Sequence, residues 1–218
     1  MPEPRISDLG ESGLLLSFEP PANPTLSRFI HLLGDTLAAD PPPGLIDWVP
    51  GLRSLALYFD PAHLQREVFE IRLRELCATL TPPAANPSPP IVIPVRYGGK
   101  RGPDLEAIAR LLALDPDEII RLHTGVVFEL ALIGFAPGFP YLLGLPGPLR
   151  LPRRSTPRAW VAKGSVAIAG ELSGIYPRDG PGGWSIIGQT EWEWFDPLAS
   201  IPCRLSVGDR IRFDAVFG

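Results

Sequence analysis

Thr81-Pro-Pro-Ala-Ala-Asn-Pro-Ser-Pro-Pro90 decides how the chain is divided. Proline lacks a backbone N–H and locks φ, so a run this rich in it holds neither a helix nor a central strand. It reads as a semi-stiff, partly extended connector. The domain boundary is therefore placed within it, with one domain at residues 1–85 and a second at 86–218.

Upstream of the connector, Gly13 to Phe18 reads as a buried strand, and Asn23-Pro24 caps a helix that carries Leu26, Phe29, Ile30, Leu33 and Leu37 on one face. Pro41-Pro-Pro43 stops that helix. Leu45 to Val49 and Ser54 to Phe59 read as two short strands around Pro50-Gly51. Asp60-Pro61 repeats the cap signal ahead of a helix with Phe69, Leu73, Leu76 and Leu80 on its core face and Cys77 beside it. Strand, helix, strand, strand, helix predicts a small α+β domain, ferredoxin-like, with helices on one side of an antiparallel sheet. It contains no cluster of chemically active residues.

Downstream, Ile91 to Val95 reads as a strand, and Pro103 opens a helix with Leu105, Ile108, Ala109 and Leu112 facing the core. Asp115 and Glu118 predict a capping box for a second helix, with Pro116 in its first turn and Gly125 at its end. From Val126 the signal is β. Val126 to Ile133, Ser165 to Ala169, Ser185 to Ile187, Trp192 to Phe195 and Arg210 to Phe213 are short apolar stretches between glycine and proline clusters, the pattern of a closed barrel.

Within this β region, Gly134-Phe-Ala-Pro-Gly-Phe-Pro-Tyr141 is a shaped loop. Pro137-Gly138 suits the centre of a type II turn, which leaves Phe135, Phe139 and Tyr141 projecting from one knuckle. Pro181-Gly-Gly-Trp184 is a second such element, and Arg150, Arg153, Arg154, Arg158, Lys163 and Arg178 lie between them. Prolines around Arg153, Arg154 and Arg158 lower the entropy lost when guanidinium groups bind a carboxylate or phosphate. These residues fit a groove for an anionic ligand. They fit equally an aromatic cap on a barrel end beside solvated arginines.

Composition narrows the function classes. With 20 basic and 24 acidic side chains the net charge is −4, which gives no general attraction to nucleic acid or an anionic membrane. No apolar segment follows a basic start and no run long enough to span a bilayer occurs, so the cytoplasm is the expected location. Cys77 and Cys203 read as reduced thiols. Gly-x-Ser-x-Gly is absent. Lys163-Gly-Ser165 places a lysine two residues from a hydroxyl, without the further base that such amidases use. There is no Walker-type loop, so direct ATP binding by this chain is not expected. His31, His63 and His123 are scattered, and no metal site is expected. His123 is the candidate catalytic residue: it falls in the last turn of the helix closed by Gly125, where the dipole favours an imidazolium that titrates near neutrality or clamps an anion. A histidine bonded to a helix-end carbonyl is the competing reading. For the functional one, barrel curvature or a bulge has to bring His123, Arg158 and the 134–141 loop together.

Gly134-Phe-Ala-Pro-Gly-Phe139, Thr156-Pro-Arg158, Gly164-Ser-Val166, Gly174-Ile-Tyr-Pro177, Pro181-Gly-Gly-Trp184 and Ile187-Gly188 form an ordered series of motifs. Val49-Pro-Gly-Leu-Arg-Ser54, Asp60-Pro61, Tyr97-Gly-Gly, Gly102-Pro-Asp-Leu105 and Leu122-His123 extend it over essentially the whole chain. The series resembles the 5-oxoprolinase B-subunit family, also labelled allophanate hydrolase subunit 1 or the first half of the urea carboxylase carboxyltransferase domain. That family includes the sporulation histidine-kinase inhibitor KipI. The resemblance implies a cyclophilin-like barrel after the α+β domain. It also implies a non-autonomous member of a complex that uses ATP to cleave 5-oxo-L-proline to L-glutamate. The implied partners are the A component of 5-oxoprolinase and a companion barrel subunit, of the 5-oxoprolinase C-component or allophanate hydrolase subunit 2 type. A histidine kinase, or a urea-degrading carboxyltransferase assembly, is the alternative setting. The implied substrate groove takes Phe135, Pro137, Gly138, Phe139, Tyr141, Arg153, Arg158, Lys163, Ser165, Tyr176, Pro181, Gly182, Gly183 and Trp184. One departure stands out. Val161-Ala-Lys-Gly-Ser-Val166 replaces the family's usual Val-Pro-Ala-Gly-Ser-Val, which sets the Lys163 cation beside the groove.

Overall fold

The computed structural model describes residues 3–216. It separates into two compact units, one ending at Ala85 and the other beginning at Asn86, and no helix or strand forms between Thr79 and Ile91.

The first unit runs β1 (Arg5–Asp8), β2 (Gly13–Ser17), α1 (Pro24–Ala39), β3 (Leu45–Pro50), β4 (Ser54–Phe59) and α2 (Arg66–Thr79). Its antiparallel sheet has the order β1-β2-β4-β3. Asn23 caps α1 by accepting the Leu26 N–H at 3.0 Å, and Leu26, Phe29, Ile30, Leu33 and Leu37 are buried as their spacing predicts. The second cap signal is corrected. Asp60 accepts the Ala62 N–H at 2.9 Å and closes a turn, while α2 starts later, after Gln65. Phe69, Leu73 and Cys77 form its buried stripe. A ferredoxin-like order would place a strand after the second helix. Here the edge next to β2 is held by β1, which comes first in the chain and which the sequence reading missed.

The second unit runs β5 (Ile91–Tyr97), α3 (Leu105–Leu112), α4 (Pro116–Thr124), β6 (Phe128–Ile133), β7 (Pro140–Leu143), β8 (Arg158–Val161), β9 (Ser165–Ala169), β10 (Leu172–Ile175), β11 (Gly180–Gly182), β12 (Ser185–Gln189) and β13 (Arg210–Ala215). Seven strands close a barrel in the order β10-β7-β6-β13-β5-β12-β9, with β9 and β10 completing the ring. Closure removes the unpaired edges that an open sheet would present. Ile93, Val95, Phe128, Leu130, Ile168, Ile187 and Phe213 fill its core. β8 and β11 form a separate two-stranded ribbon.

Two local expectations fail for physical reasons. Asp115 makes no side-chain cap to α4; Glu118 instead forks onto Arg121, with bonds of 2.7 and 2.5 Å. Trp192 to Phe195 is not a strand. Trp194 is buried and its carbonyl accepts the Arg204 N–H at 2.8 Å, while Phe195 makes a single bridge to Cys203. Among the described residues, no helix is long and apolar enough to cross a membrane, no group of three or more His, Cys, Asp and Glu residues is placed to hold a metal ion, and both cysteines are free.

Candidate functional site

The loop between β6 and β7 is built from two consecutive turns. Ala136 N–H donates to Gly134 O at 2.8 Å, with Phe135 at a φ of 66° between them. Phe139 N–H donates to Ala136 O at 3.0 Å around Pro137-Gly138, and the φ of 82° at Gly138 is what a type II turn requires. Gly138 has a second constraint. A Cβ there would overlap the Phe195 ring, and its carbonyl accepts the Trp194 indole N–H at 2.7 Å. Trp194 and Phe195 thus hold the knuckle from beneath, which explains why that segment is ordered without being a strand.

Above the knuckle lies a cavity of about 250 Å³. Phe135, Phe139 and Tyr141 wall it on one side, Tyr176 and the Pro181–Trp184 turn on another, and Arg153, Arg154 and Pro157 on a third. Phe139 is the hub, with ring centroids 5.1 Å from Tyr141, 5.2 Å from Tyr176 and 5.4 Å from Trp184, all edge to face. This is the favoured geometry of aromatic clusters and fixes the walls before any ligand arrives. Two glycines permit it: a Cβ at Gly174 would meet the Phe139 ring at 2.8 Å, and one at Gly182 would overlap the Tyr176 hydroxyl. Burial raises the pKa of both Tyr141 and Tyr176, so their hydroxyls stay protonated and able to donate. The Arg153 guanidinium carbon stands 6.0 Å from the Trp184 ring centroid, and Arg153 has no carboxylate partner among the described residues.

Behind the cavity, Asp104 holds the basic segment in place. Arg158 forks onto both carboxylate oxygens at 2.9 and 2.7 Å, Arg154 adds a bond of 3.0 Å, and the Ile186 N–H adds one of 2.7 Å. The carboxylate is almost fully buried. One anion between two guanidinium groups satisfies its own desolvation and leaves the surroundings net positive. Asp104 stands at the N-cap position of α3 without capping it, because its oxygens are committed to the arginines.

Other residues of the expected groove lie elsewhere. Pro137 and Gly138 shape the loop but do not line the cavity. Arg158 and Ser165 line a neighbouring cavity instead. Lys163 Nζ pairs with Glu193 at 2.7 Å and its N–H donates to Asp179. The expectation for His123 is reversed. A register shift between Leu130 and Leu132 does disturb β6, yet the imidazole is completely buried in the barrel unit, stacked 4.6 Å from Phe213, and it lines neither cavity. Its Nδ1 lies 2.8 Å from the Tyr97 hydroxyl and its Nε2 2.9 Å from Ser173 Oγ. Burial drives its pKa down to about 3, outweighing the helix-end effect, so the ring is neutral. Ser173 Oγ in turn donates to Ala167 O at 3.4 Å, which orients the series as Tyr97 O–H to Nδ1 and Nε2–H to Ser173. Arg154, expected with the basic segment, does line the cavity, whereas Asp104 and Pro157 were absent from the expected groove. Asp104 sat in Gly102-Pro-Asp-Leu105, where it reads only as a helix start.

Residues 4–205 match the family described as carboxyltransferase domain, subdomain C and D. The 5-oxoprolinase B subunit of Bacillus subtilis (strain 168) is 35% identical over 219 residues, covering 96% of this chain and 91% of the relative. The crystal structure of TTHA0988 is similar at a TM-score of 0.77 and 36% identity; 94% of this chain is covered, and the chain spans only 40% of that one. The urea amidolyase of Kluyveromyces lactis shares the fold at a TM-score of 0.79 and 18% identity, over 99% of this chain and 15% of that one.

Proposed function

The chain belongs to the carboxyltransferase-domain family, subdomain C and D, and from that premise we propose that it is the substrate-holding B subunit of an ATP-dependent 5-oxoprolinase. The complex would open the lactam of 5-oxo-L-proline to give L-glutamate. The observation that carries this reading is Arg153, a cation with no carboxylate partner among the described residues, facing a rigid aromatic cavity. A small ring bearing a carboxylate has matching chemistry. Its carboxylate takes the guanidinium fork, its ring packs on Phe139 and Trp184, and its amide oxygen accepts from a tyrosine hydroxyl.

The residues lining the cavity include no carboxylate, imidazole or thiol. On this reading the chain binds and orients, a companion barrel subunit supplies the missing acid–base groups, and ATP is used by the complex to activate the amide oxygen. Reconstitution with the other two 5-oxoprolinase components tests this. The isolated chain is expected to show no turnover, and the full set to hydrolyse ATP only with 5-oxoproline present. Arg153→Ala should raise KM for 5-oxoproline tenfold or more, about 1.4 kcal/mol, while the complex still co-elutes. Turnover by the chain alone overturns the reading. So does a complete complex that ignores 5-oxoproline but responds to urea-derived substrates, or a chain that instead silences a histidine kinase.

A further inference from the structure

A second cavity, of about 180 Å³, opens on the other side of the Asp104 contact. The two are linked through one carboxylate oxygen: Arg154, which lines the aromatic cavity, and Arg158, which lines this one, both donate to Asp104 Oδ1, at 3.0 and 2.7 Å. Lys100, Arg101 and Arg158 face the second cavity together with Ser165 and Trp160, and no acidic side chain lines it. Arg101 spends one nitrogen on Glu191 at 3.1 Å, and Arg158 spends two on Asp104, so each keeps donors to spare. Lys100 has no carboxylate partner among the described residues and is exposed.

Ser165 points to a ligand. It is only 4% exposed. Its N–H donates to Ala162 O and its carbonyl accepts from Tyr176, yet its hydroxyl bonds to no described group. No fully occluded side-chain oxygen or nitrogen among the described residues lacks a partner, so this hydroxyl opens onto the cavity it lines. A nearly buried hydroxyl without a protein partner is a position for a ligand oxygen. At the mouth, Trp160 is 62% exposed and offers a flat ring.

We propose that this cavity is a phosphate site, binding a phosphoryl oxyanion between Lys100, Arg101, Arg158 and Ser165. A carboxylate is satisfied by one guanidinium fork, whereas three cations and a hydroxyl, drawn from the Lys100-Arg101 pair, Arg158 and Ser165, match an ion with oxygens pointing in several directions. The volume is several times the ~30 Å³ of a water molecule and leaves room for a group attached to the phosphate. The site deepens the proposed use of ATP, and it is testable on the isolated chain, so a failed reconstitution and a missing phosphate site are distinguishable.

Titration calorimetry of the purified full chain with inorganic phosphate and with ADP tests it. Saturable binding of inorganic phosphate is expected, weakened tenfold or more by Lys100→Ala and severalfold by Ser165→Ala. Arg74→Gln, an exposed charge removed in the other unit, should leave it unchanged. ADP bound at least tenfold more tightly than phosphate, with the gain lost in Trp160→Ala, identifies a nucleotide as the source. Equal affinities identify a free or substrate-borne phosphoryl group. No saturable phosphate binding, or equal affinity in wild type and Lys100→Ala, overturns the proposal. All four variants change small or exposed groups, and circular dichroism confirms that each is folded before titration.

Discussion

Two polar clusters in the barrel unit meet the same physical problem and resolve it in opposite ways. The Tyr97–His123–Ser173 series is sealed among Phe128 and Phe213, has no counter-ion, and keeps its imidazole neutral. The Asp104 carboxylate is also nearly buried, but two guanidinium groups and a backbone N–H surround it. Desolvation removes a charge where nothing opposes it and is offset where opposite charge is already fixed. Hence the sealed series serves the core, while the paired cluster can stand at the wall of a binding site and lend it positive charge.

The largest effect that would break this contrast concerns acid. Unfolded, His123 takes up a proton near 6.5; folded, it resists until about 3. The unfolded state therefore binds more protons across that window. The stability due to a neutral His123 is complete above it and is lost at about 1.4 kcal/mol per pH unit as pH falls, up to about 5 kcal/mol in all. His123→Gln should be less stable than wild type at neutral pH and show a shallower acid decline in denaturant titrations. Identical slopes would mean that the imidazole is not held neutral.

Next comes Asp104→Ala, expected to cost about 3 kcal/mol, because it strands two partly solvated arginines and the Ile186 N–H. Asp104→Asn should recover part of the loss. A cost below about 1 kcal/mol in urea unfolding would show the arginines to be solvated independently. Gly138→Ala meets both a positive φ and the Phe195 ring, and a loss of about 1–3 kcal/mol is expected from thermal unfolding. Arg153→Ala sharpens the comparison at its small end: its stability should stay within about 0.5 kcal/mol of wild type, since no ion pair among the described residues depends on it.

The sequence was most legible where one local rule acts alone. Asn23 capped its helix, Pro137-Gly138 formed the turn, and the apolar stripe of α1 faced the core. It misled where another side chain, near or far in the chain, competed for the same atoms. Glu118 was taken by Arg121, and Asp104 by arginines fifty and fifty-four residues away. β7, β8, β10 and β11 are strands of three or four residues, too short for an alternating pattern to register. The aromatic walls and Arg153 were readable as a group; the Asp104 contact that parts Arg158 and Ser165 from them was not, because nothing local announces an ion pair across that separation.

The place of β13 has a kinetic consequence. It lies between β5, to which it runs parallel, and β6, so Ile211 pairs with both Ile91 and Phe128. Until that strand docks, β5 and β6 each keep an unpaired edge, and Phe213 is not yet stacked on His123. Contacts joining such distant parts of a chain carry a large loop-closure cost and slow the search for the native state. Barrel formation should therefore be a late, all-or-none step, and a nascent chain released before β13 has emerged should expose two sticky edges and require a chaperone.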